Sequence, residues 1–129
     1  MELDPAQDQP PEKREHFRIS VVLPLHYRLT GEPAGEPSPA EVNISGGGIG
    51  FVTTRQFNPD DSLDLRLVLP DTQSIHATAK VVRIAPITRD KSSHLVGARF
   101  TAIGDEDRER LISFIFRLQA ERRRSHFDV

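Results

Sequence analysis

The chain has 129 residues, 36% of them apolar, with 17 Lys and Arg against 19 Asp and Glu for a net charge of −2. That length suits one domain with a modest core, and the slightly acidic balance speaks against a general nucleic-acid binder, whose footprint is a basic excess. No cysteine is present, which excludes disulfides, thiolate metal sites and cysteine nucleophiles; any anion site must come from local placement of cations.

Residues 1–13 are polar, charged and proline-containing, and read as a flexible N-terminal arm. The start Met1-Glu2-Leu3-Asp4-Pro5 carries neither a basic segment nor an apolar run, so no signal peptide is read there. No apolar stretch approaches the ~20 residues that span a bilayer; the expected location is cytoplasmic, without membrane insertion. From Phe17 onward, Ile19, Val21, Leu23 and Leu25 alternate with mostly polar neighbours, and Tyr27 and Leu29 keep the rhythm. A period of two predicts a long strand with one buried face, in which Pro24, lacking an N–H, calls for a bend, a bulge or an edge position. Gly31 to Pro39 reads as a loop. Ala40 to Ser45 is a short strand, Gly46-Gly47-Gly48 interrupts it, and Ile49 to Val52 resumes it. Asn58 to Asp61 is a turn, Leu63, Leu65, Leu67 and Leu69 alternate along the next strand, and Pro70-Asp71-Thr72 turns the chain again. Ile75 to Ile84 is a further strand, residues 86–94 a polar loop, and Leu95 to Phe100, with Thr101, the last strand.

Only the end reads as helix. Asp105 is placed to cap it, Glu106 and Asp107 suit the positive end of the helix dipole, and Arg122, Arg123 and Arg124 suit the other end. Leu111, Phe114, Ile115 and Leu118 share one face; Ile112 and Phe116 lie off that stripe and either widen the buried face or mark a partner contact. About six strands at short intervals and one terminal helix predict a mainly β chain. The expected architecture is a six-stranded antiparallel barrel with a C-terminal α-helix over residues 105–124, the folded domain running from 14 to 124 and residues 125–129 forming a tail.

Two motifs carry chemistry. Arg14 and Arg18 stand four apart in Arg14-Glu15-His16-Phe17-Arg18, where the arm meets the first strand, and Asn43-Ile44-Ser45-Gly46-Gly47-Gly48 marks the later strand break. A guanidinium is planar and permanently charged, gives two parallel hydrogen bonds to a phosphate or to guanine O6 and N7, and stacks on bases. Asn43 can both accept and donate through its amide, Ser45 can donate to a phosphate or to backbone, and Gly48 leaves room for close approach. Each motif alone has a plain reading: solvated surface arginines, or turn chemistry at a strand end with glycines for a bulge or hairpin. Together, in this order and separation, they resemble the signature of the PilZ family, Arg-x-x-x-Arg followed by Asp or Asn-x-Ser-x-x-Gly. Ile49-Gly50-Phe51, the strand Leu95 to Phe100 and the acidic start of the helix resemble that family too, so the resemblance covers roughly residues 13–122.

The resemblance implies a barrel that binds the bacterial second messenger cyclic di-GMP on its outer surface. Arg14 and Arg18 would clamp the ligand from an arm that folds over it, with Asn43, Ser45, Gly46, Gly47 and Gly48 on the opposite side. Lys13 is expected to help with a phosphate, and Arg83 to supply a stacking or phosphate contact. It further implies a non-catalytic effector of motility, attachment or biofilm output, without a cofactor, whose altered surface is read by a separate effector protein. A monomer or weak dimer is expected. A second reading is a PilZ-like adaptor that binds no nucleotide and acts through protein contacts, although such members typically lack the arginines present here. A single-stranded nucleic-acid barrel is disfavoured by the net charge and by the core-type positions of most aromatics. The five histidines show no zinc spacing. The glycine run lacks the lysine and following helix of a phosphate-binding loop, and no acid–base or metal constellation for catalysis is legible.

Overall fold

A computed structural model describes residues 18–87 and 90–127. In chain order these form β1 (Ile19–Leu29), β2 (Ser38–Ile44), β3 (Gly48–Thr53), β4 (Ser62–Val68), β5 (Ser74–Ile87), β6 (Asp90–Ile103) and the helix α1 (Asp105–Phe127). The strands close into one barrel in the order β1-β2-β3-β6-β5-β4, every pairing antiparallel. The six-stranded antiparallel barrel with one C-terminal helix is therefore the fold, with the last strand in sequence inserted between β3 and β5. Among the described residues no helix is long and apolar enough to cross a membrane.

The alternation in the sequence sets the inner face. Val42, Ile44, Phe51, Leu63, Val81 and Val96 are fully buried inside the barrel, and Leu111 and Ile115 of α1 join them. Phe114 is buried and Leu118 partly so, which gives the helix the apolar stripe expected of it. The helix packs on β5 and β1. Asp107 fixes its first turn by accepting the His76 N–H of β5 at 3.0 Å, and Arg110 bonds the same carboxylate.

β1 serves two neighbours, pairing with β2 through Ile19 to Leu25 and with β4 through Leu25 to Leu29. Pro24 lies opposite Pro39, one residue before the β4 pairing begins. Two residues without an N–H thus face one another where the strand changes partners, a place where a missing donor costs the ladder little.

Several boundaries differ from the sequence reading, among them the end of α1, which runs to Phe127 where a tail was expected to start at 125. The segment 86–94 is not simply a loop: β5 runs to Ile87 and β6 starts at Asp90, with Pro86 opposite His94. Past Val81, β5 pairs with β6 alone and none of its residues to Ile87 is fully buried, so the hydrophobic alternation fades. β2 begins at Ser38, inside the expected loop. The first intrahelical bond runs from the Arg108 N–H to the Gly104 carbonyl at 2.9 Å, which makes Gly104 the capping residue and Asp105 the first helical one. The acidic first turn keeps its role, because three carboxylates at 105–107 still face the positive end of the helix.

Candidate functional site

The Asn43–Gly48 motif divides between elements. Asn43 lies on β2, Ser45, Gly46 and Gly47 make the turn, and Gly48 opens β3. Pairing of Ile44 with Ile49 closes that turn. The Ser45 N–H donates to the Gly48 carbonyl at 3.0 Å, the Gly47 N–H donates to Ser45 Oγ at 3.2 Å, and the Phe100 N–H of β6 donates to the Gly47 carbonyl at 2.9 Å. Ser45 thus shapes the turn with its own hydroxyl, as serines at strand ends do. Gly48 is required for a packing reason: a Cβ there would stand 2.3 Å from the carbonyl oxygen of Ala98 on the paired strand.

Strand register then places the motif beside residues remote in sequence. Across the outer face run Ser20 of β1, Asn43 of β2, Gly50 of β3, Gly97 of β6 and Arg83 of β5, each the cross-strand partner of the next. Gly48 pairs in turn with Arg99. Gly48, Gly50 and Gly97 leave a flat floor in the middle, and Arg83 and Arg99 stand beside it. At the Arg83 side the register shifts between Val81 and Arg83, so Val82 is the extra residue of a bulge and is 54% exposed. Bulges of this kind re-aim side chains beside binding sites.

The result is a cleft of about 630 Å³. Arg18, Arg83 and Arg99 line it together with Asn43, Ser45 and the three turn glycines, while Val82, Leu95 and Ile112 add apolar wall. Among the described residues no Asp or Glu lines it, so three guanidinium groups converge there in a chain whose net charge is −2. Such a surface attracts anions through local placement. Asn43 adds a directional feature. Its Oδ1 is buried and accepts no hydrogen bond among the described residues, a state that costs about 1–3 kcal/mol unless a donor arrives. A second groove, of about 520 Å³, runs between the Leu69–Asp71 turn and α1. Its rim sets Asp71, Glu106, Glu109 and Glu121 against Arg110 and Arg117, a mixture that repels phosphates.

Of the residues singled out in the sequence, Arg18, Asn43, Ser45, Gly46, Gly47, Gly48 and Arg83 come together in the cleft; Lys13 and Arg14 lie outside the described residues. Arg99, Val82, Leu95 and Ile112 were missed. The first had a signal: Arg99 follows Gly97 by two, so it shares the outer face of β6. Among the described residues no group of three or more His, Asp or Glu is placed to hold a metal ion.

Away from the cleft, Arg55 bonds Glu32 at 2.5 Å and lies over the Phe57 ring, 5.0 Å from its centroid. That hydrogen bond holds the Glu32 carboxyl below its ordinary range and pushes Arg55 up, one contact seen from both ends.

The PilZ domain profile matches residues 12–117 of the chain. The inhibitor of motility of Bacillus subtilis (MotI/DgrA) has a similar structure, with a TM-score of 0.71 and 25% identity over 83% of this chain and 51% of that one. The chain therefore spans about half the length of that protein. The PilZ domain of Escherichia coli YcgR, solved with c-di-GMP, gives a TM-score of 0.65 at 18% identity, covering 88% of this chain and 96% of that one. A Xanthomonas campestris PilZ protein that forms a tetramer through a helical bundle gives 0.65 at 14% identity, covering 81% and 89% of the two chains. Comparison with curated proteins returns no match.

Proposed function

The chain belongs to the PilZ domain family, a family of cyclic di-GMP receptors, and we propose that it is itself such a receptor, with the glycine-floored cleft as its binding site. The observation that carries this is the chemistry of the cleft among the described residues: three arginines, no carboxylate, and a buried amide oxygen lacking a donor. Cyclic di-GMP offers the complement, two anionic phosphates and two planar guanines whose N–H groups donate. Arg18 and Arg83 pair with phosphates or with guanine O6 and N7 and stack on the base faces. Asn43 Oδ1 accepts from a guanine N–H, Ser45 and the turn glycines receive a phosphate, and the floor of Gly50 and Gly97 lets a base lie against the sheet. Lys13 and Arg14 complete the clamp when the arm closes over the ligand.

The output follows from ordering. Ordering of the N-terminal arm, residues 1–13, over the nucleotide changes the surface beside the cleft, and a separate protein reads it, a switch of the order-on-binding kind. The chain acts in this way as a cytoplasmic effector rather than an enzyme, and its kinship with the B. subtilis motility inhibitor makes motility the first process to examine. A thermal-shift series tests the ligand class. Cyclic di-GMP at saturating concentration raises the melting temperature, whereas cyclic di-AMP, which lacks the guanine O6 acceptor and N–H donors, does not. Equal shifts with both nucleotides would leave only a non-selective phosphate site, and no shift with either would favour an adaptor working through protein contacts alone.

A further inference from the structure

Helix α1 reaches the cleft as well as the core. Arg108 Nη1 donates to the Gly46 carbonyl at 2.9 Å, and the end of Ile112, one turn later, sits 3.5 Å from where a Cβ on Gly46 would stand. The other end of the same helix holds the start of β1. Gln119 Nε2 donates to the Arg18 carbonyl at 3.4 Å and Arg122 Nη2 to the Ser20 carbonyl at 2.7 Å. Residues 108, 112, 119 and 122 recur at intervals of four, seven and three, so they form one stripe along the helix. That stripe bridges the two chain segments that bring Arg18 and the Ser45–Gly48 turn to the cleft.

Two details mark this as more than incidental packing. Arg108 sits at the end of the first helical turn, where the dipole favours anions and disfavours a cation. The helix itself has no electrostatic need for an arginine there. The turn, in contrast, uses it: the Ser45 and Gly47 N–H groups are held within the turn and the Gly47 carbonyl by β6, while the Gly46 carbonyl is held by Arg108. Ile112, which the sequence left between core and partner contact, is half-buried against that turn.

We infer that Arg108, with Ile112 beneath it, is a positioning residue that holds the Gly46 turn in its ligand-binding shape, so that helix docking and cyclic di-GMP binding are thermodynamically coupled. The inference rests on the receptor reading above. By linkage, whatever tightens the helix on the turn tightens the ligand, and the ligand in return tightens the helix to the same extent. The helix is thereby the element through which occupancy of the cleft is felt at β5 and β1, the strands it packs on.

The test uses the full chain and cyclic di-GMP itself. Arg108→Ala weakens binding about fivefold or more, the lower end of the usual range for coupled sites, while its helical circular dichroism stays that of the wild type. Arg108→Lys, which keeps one donor, recovers part of the affinity, and Arg124→Ala, an exposed arginine on the same helix, leaves it unchanged. Hydrogen exchange gives the independent readout: ligand slows exchange in residues 105–112 of the wild type and loses that effect in Arg108→Ala. Tight wild-type binding with an unaltered Arg108→Ala affinity and unaltered exchange would overturn the coupling alone. Absence of binding by the wild type would overturn the receptor reading and the coupling with it.

Discussion

Gly48→Ala is the sharpest perturbation of the site, because it separates what the glycine does for the fold from what it does for a ligand. The added Cβ would lie 2.3 Å from Ala98 O, 3.3 Å from the Ala98 carbonyl carbon and 3.3 Å from the Arg99 Cα. All three are backbone atoms of β6, so no side chain can swing aside. β3 must move away from β6 at the Gly48–Arg99 pair, straining local packing and at least one ladder hydrogen bond. Overpacking of this kind costs roughly 1–3 kcal/mol and a weakened hydrogen bond about 1 more, a loss of about 2–4 kcal/mol. For a domain of this size that lowers the melting temperature by about 6–15 °C. Gly47→Ala is the control, since a Cβ there meets no atom within 4 Å and the backbone does not lie in the left-handed region. Thermal unfolding followed by circular dichroism, without any nucleotide, reads both. A Gly48→Ala melting temperature within 2 °C of wild type, or an equal loss in Gly47→Ala, would refute the packing argument.

Other outcomes follow from the same contacts. Asn43→Asp places a charge on a buried oxygen that has no hydrogen-bond partner among the described residues, so it lowers the melting temperature of the free protein and enlarges the shift produced by cyclic di-GMP; an unchanged shift would remove Asn43 from the guanine contact. Arg99→Ala weakens cyclic di-GMP binding severalfold and flattens its dependence on salt, because one of the cleft cations is gone; calorimetry at two salt concentrations checks this. Tyr27 donates its hydroxyl to Thr53 Oγ1 at 2.7 Å, so Tyr27→Phe destabilises the fold by about 1 kcal/mol in denaturant titration. Glu32 has a folded-state pKa below its ordinary value of 4.5, lowered first by the Arg55 hydrogen bond. Its contribution is present above that ordinary value and is lost as the pH falls through the lowered one. Stability curves of wild type and Glu32→Gln therefore differ at neutral pH and converge in acid, and a constant gap would contradict the bond.

The barrel was legible because its strands have one wet and one dry face. Leu63, Leu65 and Leu67 announce β4 by alternation alone, and Leu111, Phe114 and Ile115 announce the helix by a different period. The β5–β6 ribbon was read too short because Pro86 and His94 pair where the second face has nothing to cover, and without burial there is no pattern to read. In the cleft, the turn motif carried its own signature and Arg99 only its two-residue spacing from Gly97, while Val82 and Ile112 carried none. Their membership depends on register across β3, β6 and β5 and on the path of α1, and register is a property of pairing that no local stretch contains. The Gly48 requirement was read as room for a ligand; the structure adds the approach of Ala98, a tertiary fact.

The central claim is tested most directly by calorimetric titration of the full chain with cyclic di-GMP, beside Arg14→Ala, Arg18→Ala and Arg83→Ala. The account predicts saturable binding that weakens tenfold or more, about the worth of one lost bidentate arginine contact, in Arg14→Ala and in Arg18→Ala, and to a lesser degree in Arg83→Ala. Absence of heat at high micromolar ligand, or binding that ignores all three substitutions, would contradict it.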